Sequence, residues 1–69
     1  MAELTERERK IVELMGKGMT DTQIAREFAY PEERLHTLID RIKQKTELQS
    51  RLELEQLGRS INAAEKKLN

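Results

Sequence analysis

A chain of 69 residues lies near the lower limit at which one apolar core holds a fold unaided, so a single domain over 1–69 is expected, with dimerisation a natural supplement. Charged residues make up 38% of the chain and aromatics 3%, with one Tyr, one Phe and no Trp, which argues against a β fold and for a small all-α one. Thirteen basic and thirteen acidic residues cancel, so no global field draws the chain to nucleic acid or to an anionic membrane, and the absence of cysteine excludes disulfide and thiolate-metal sites.

Thr5 with Glu8 three residues later is a capping box, and Ile11, Val12, Leu14 and Met15 then form one apolar stripe that stops before Gly18. This predicts helix 1 over about 6–17. Thr20 with Gln23 repeats the box, placing helix 2 over 21–28 with Ile24, Ala25 and Phe28 inward. Pro31, whose missing N–H is harmless at a helix start, is read as the first residue of helix 3, over about 31–45. Glu32 and Glu33 then sit at the positive end of the helix dipole. Leu35, Leu38, Ile39 and Ile42 make its buried face, leaving Glu33, His36, Thr37, Asp40 and Gln44 outward as the candidate functional surface. Ser50 with Glu53 starts helix 4, about 51–67, after a connection from Thr46 to Gln49. Its Leu54, Leu57, Ile61, Ala64 and Leu68 recur at heptad spacing, and those beyond Gly58 extend past what three short helices cover, so the stripe is expected to pair two copies. No apolar run is long enough to span a bilayer and no secretory leader is present, so a cytoplasmic location is expected.

From Leu4 to Leu54 without a gap, the chain resembles the DNA-binding domain of the LuxR/FixJ-type (GerE-like) regulators, a four-helix helix-turn-helix module. The residues that carry the likeness are Leu4-Thr5 with Arg7-Glu8-Arg9, Gly18 after helix 1, Ile24-Ala25 in helix 2, and Ser50-Arg51 with Glu53-Leu54. The start of the chain at the motif itself implies a stand-alone member without a receiver or ligand-sensing domain. The resemblance implies that helix 3 enters the major groove and that helix 4 makes the dimer. It places base-reading positions at His36, Thr37 and Asp40, with Glu33 and Arg34 nearby, and backbone-contacting positions at Thr5, Thr20, Lys43 and Lys45. It also implies a structural charged pair between Arg51 and Glu8. The chain departs from the family pattern at Pro31, at Glu33-Arg34-Leu35, at Leu38 and at Glu47, where a chain-breaking Gly is usual. With Glu47 there, helices 3 and 4 could join less sharply or even run together, against the connection read from Thr46 to Gln49.

Read as a base reader, helix 3 offers Thr37 to a base edge or thymine methyl, His36 to a guanine acceptor and Asp40 to a cytosine amino group. Its flanking Arg34, Arg41, Lys43 and Lys45 exceed Glu32, Glu33 and Asp40 by a single charge, and a carboxylate facing phosphate brings no counterion release. A metal at His36 would need Glu33 and Asp40 as co-ligands without a second His or a Cys, so no metal or cofactor is expected. No nucleophile or phosphate loop accompanies these residues, so no enzyme is expected either. The expected function is sequence-specific, homodimeric DNA binding that regulates transcription. The alternative is a protein-interaction module whose acidic helix 3 and long helix 4 bind another regulator, and a weaker one is a sigma-factor-like promoter reader.

Overall fold

The computed structural model describes the backbone of residues 3–68 and the side chains of residues 3–64. Four helices follow one another: α1 Glu6–Gly16, α2 Asp21–Phe28, α3 Glu32–Thr46 and α4 Arg51–Leu68. Each of the first two starts at a closed capping box. Thr5 Oγ1 accepts from the Glu8 N–H at 3.1 Å while the Glu8 carboxylate accepts from the Thr5 N–H at 2.9 Å, and Thr20 with Gln23 does the same at 3.2 and 2.9 Å. At the head of α4 the Glu53 N–H donates to Ser50 Oγ, and that hydroxyl donates to the Glu53 carboxylate.

The helix ends are equally local. Gly18 takes φ 87, and Met19 N–H reaches back to the Leu14 carbonyl to close α1. Ala29 at φ 57 closes α2, with Tyr30 N–H bonded to the Ala25 carbonyl at 2.8 Å. Pro31 stands one residue before α3 rather than inside it. At φ −62, ψ 147 it is the N-cap, and its carbonyl accepts the first helical bonds from Arg34 and Leu35.

α3 and α4 are separate helices, as the connection read from Thr46 to Gln49 implies, even though Glu47 stands where a glycine is usual. Glu47 itself adopts φ 61, ψ 16 and turns the chain as a glycine would. A left-handed residue with a Cβ is strained, and the Glu47 side chain is exposed, so Glu47→Gly is expected to stabilise the domain by about 1 kcal/mol. Thermal melts of the two proteins check this, and a loss of stability would mean the turn is not limited by backbone strain.

One core joins all four helices: Ile11, Val12, Leu14 and Met15 from α1, Ile24 and Ala25 from α2, Leu35, Ile39 and Ile42 from α3, and Leu54 from α4. Phe28, Leu38, Leu57 and Ile61 pack at its edges. α4 runs antiparallel along α1. Gly58 lies against Gly16 with no side chain between them, and one turn on Asn62 Nδ2 donates to the Glu13 carbonyl at 3.2 Å. Two helices at backbone contact leave the third and fourth sides of α1 to α2 and α3, which meet across a three-residue turn.

Candidate nucleic-acid interface

α3 is held by Leu35, Ile39 and Ile42, each buried, and this fixes its rotation. At about 100° per residue, its solvent side then divides into two edges of opposite character. Contacts identify which neighbour each edge faces.

The edge beside α2 is acidic. Glu32 accepts from Thr22 Oγ1 at 2.7 Å, and His36 Nε2 lies 3.6 Å from Asp21 Oδ2 at the first residue of α2. Asp21 also pairs with the Arg51 guanidinium, which donates to the Met19 carbonyl at 3.1 Å and lies 3.5 Å from Glu55. Asp21, His36, Ile39, Asp40, Lys43 and Arg51 line one shallow groove. Arg51 therefore ties α4 to the head of α2, and the expected Arg51–Glu8 pair is not formed. Asp21 is a residue that sequence reasoning missed as a hub, since only the packing of three helices brings His36 and Arg51 to it.

The edge beside α1 is basic. Arg34, Arg41 and Lys45 share a row on α3; Lys45 contacts α1 at Glu8, and Arg34 meets the same Tyr30 ring as Arg7 of α1. Lys45 Nζ sits 2.6 Å from Glu8 Oε1, with the carboxyl group 2% exposed and Lys45 23%. Burial pushes the Glu8 carboxyl up, but the Lys45 ammonium and the Thr5 donors outweigh it and hold it below its ordinary value. Lys45 is thus engaged internally with Glu8. Its place opposite Glu8 is the one expected of Arg51. At the other end of the row, the Arg34 guanidinium lies 5.0 Å and that of Arg7 5.7 Å from the Tyr30 ring centre, and Tyr30 stacks on Phe28 at 5.5 Å and 17°.

Between the edges Glu33 and Thr37 are exposed; Asp40 on the acidic edge and Arg41 on the basic one are exposed too, while Lys43, in the groove beside Asp21, is half-buried. Thr37 Oγ1 donates to the Glu33 carbonyl at 3.1 Å, so its hydroxyl proton is used by its own helix. What it presents outward is a methyl group and oxygen lone pairs. Thr5 and Thr20 are exposed N-caps, their hydroxyl oxygens already accepting a backbone N–H. Among the described residues no group of His, Cys, Asp and Glu could hold a metal ion, and no helix is long and apolar enough to cross a membrane.

The α4 stripe is mostly covered by its own chain. Leu54 is fully buried in the core, and Leu57 and Ile61 pack against it while remaining half-buried. Ala64 is exposed, and the Leu68 side chain lies outside the described residues. The reason is the Gly16–Gly58 approach, which brings α4 close enough to α1 for Ile61 to reach the groove lined by Leu4 and Arg9. Leu52, 59% exposed, is instead the large apolar side chain that α4 leaves to solvent among the described residues.

Residues 2–57 match the family described as bacterial regulatory proteins, luxR family. Neither a curated protein nor a solved structure matches the chain. The matched span takes in α1, the α2–turn–α3 unit and the first two turns of α4, which are the parts that build the core and set α3 on the surface. The chain therefore belongs to the luxR family of bacterial regulatory proteins, whose helix-turn-helix domains bind DNA.

Proposed function

We propose that the protein is a sequence-specific regulator of transcription that lays α3 in the DNA major groove and acts as a homodimer. The observation that carries this reading is the outer face of α3. Its core side is locked by three buried aliphatic residues, and Thr37 stands at the centre of an exposed strip between a basic and an acidic edge. A rigid helix with its polar side chains displayed in fixed positions is what reading base edges needs. With its proton committed to Glu33, Thr37 accepts from an exocyclic amino group or packs on a thymine methyl. Exposed Arg41 and half-buried Lys43 serve the backbone on either side. Dimerisation through α4 rests on Leu52 and the exposed Ala63 and Ala64, in place of the covered seam.

Selection of enriched sites from random duplex DNA, with binding measured across salt, tests this reading. The expected outcome is an inverted repeat whose halves lie roughly 10 bp apart, the spacing two symmetric copies impose. Thr37→Ala is expected to lower discrimination at one base pair by about 1–3 kcal/mol without changing stability. Lys43→Ala is expected to weaken all sequences alike, since phosphate contacts carry position and not sequence. A single enriched half-site would remove the homodimer. A parent without affinity for duplex at low salt would remove DNA binding and favour the second reading, a module that binds another regulator through the acidic edge of Asp21, Glu32 and Asp40.

A further inference from the structure

Arg7, Tyr30 and Arg34 converge where the start of α1 meets the turn before α3. Both guanidinium groups are drawn to the electron-rich face of one ring, whose own orientation is held by stacking on Phe28. Among the described residues neither Arg7 nor Arg34 has a carboxylate within ion-pair distance, although the chain holds as many acids as bases. Two like charges at one aromatic ring repel each other, and the ring quadrupole offsets only part of that. An anion that meets both guanidinium groups removes the repulsion and gains charge-assisted N–H donors from each.

We propose that Arg7 and Arg34, held over Tyr30, form a seat for one phosphate of the DNA backbone. The inference rests on the DNA-binding reading and adds to it a contact from α1 and the side from which the duplex is approached. Phosphate is met on the edge carrying Arg34 and Arg41, while Asp21, Glu32 and Asp40 lie on the opposite edge, away from the strand so seated. A chain of zero net charge thereby acquires a local field of one sign. Thr37 stands between the edges, so seating a phosphate at Tyr30 carries Thr37 toward the groove floor.

The experiment measures binding of a short random-sequence duplex against salt for the parent, Arg7→Gln, Arg34→Gln, their double variant, Tyr30→Phe and Tyr30→Leu, each first shown to be folded by circular dichroism. Either Arg variant is expected to flatten the dependence of log affinity on log salt. The double variant should lose no more than about 0.9 in slope, one phosphate's worth, because both groups serve the same phosphate. Tyr30→Phe keeps the ring and should bind as the parent does. Tyr30→Leu leaves the charge unchanged yet should weaken binding several-fold, since the guanidinium groups lose their platform. Parent-like slopes at Arg7 and Arg34 while Lys43→Ala still flattens the slope would overturn the seat and leave the DNA reading standing. Slopes that add in the double variant would overturn the shared phosphate, and a parent that does not bind at low salt would overturn both.

Discussion

Gly58→Ala is expected to unfold the domain or to lower its melting temperature by well over ten degrees. A Cβ on Gly58 would run into the Val12 carbonyl oxygen and would lie 2.8 Å from the Gly16 nitrogen and 2.9 Å from its Cα. All three are backbone atoms of α1, so no side chain can swing aside and the two helices must separate. Separation withdraws Leu54 from the core and loosens Leu57 and Ile61, which pack beside it. Overpacking costs about 1–3 kcal/mol where side chains can adjust, and backbone contact places this case at the upper end or above. For a domain of this size that is a shift of roughly 4–8 °C per kcal/mol. Gly18→Ala is the control. Nothing lies within 4 Å of a Cβ there, but φ is 87, so only the conformational cost of about 1 kcal/mol is expected. Equal melting temperatures for the two variants would show that α4 adapts to the added methyl group.

The helices and their ends were legible because caps are local chemistry. Thr5 with Glu8, Thr20 with Gln23, and Gly18 place their capping bonds within four residues. Glu47 carries no such local sign: glycine is the usual mark of a left-handed turn, and here a glutamate adopts that conformation. The partner of Glu8 was not legible. Arg51 and Lys45 both lie far from it in the chain, and only the approach of α3 to α1 decides for Lys45. The α4 stripe shows the limit of periodicity, since spacing of three and four is the same whether the leucines cover their own chain or a second copy. Gly58 held the missing signal. A glycine inside a helix costs about 1 kcal/mol relative to alanine, which implies close approach of another backbone, and Gly16 near the end of α1 is its counterpart. On α3 the residue types of the candidate surface were readable, but the split into a basic and an acidic edge depends on which neighbours, Glu8 and Tyr30 or Asp21 and Thr22, take up each side.

Lys45→Met is expected to destabilise the domain by about 3 kcal/mol at neutral pH and to weaken its response to acid. The loss arises from what remains: a carboxylate 2% exposed, still bonded to the Thr5 N–H but without a cation, and with Oε2 lacking a partner among the described residues. In the parent, Glu8 titrates below its ordinary value of 4.5, so its contribution is complete above that value and is lost as pH falls through the lower folded one. Without Lys45, only the Thr5 bonds oppose burial, so the folded value moves up from where Lys45 holds it. The variant then loses less stability than the parent as pH falls below 4.5. The gap between parent and variant should therefore close in acid. Replacing both partners, Glu8→Leu with Lys45→Met, removes the buried charge altogether and should recover most of the loss, short of the capping bond to Thr5 that Glu8 also makes. Urea unfolding of the three proteins from neutral pH to below 4.5 separates these outcomes. A gap that stays constant with pH, or a double variant no more stable than Lys45→Met, would mean that Lys45 acts through its packed methylene chain and not through its charge.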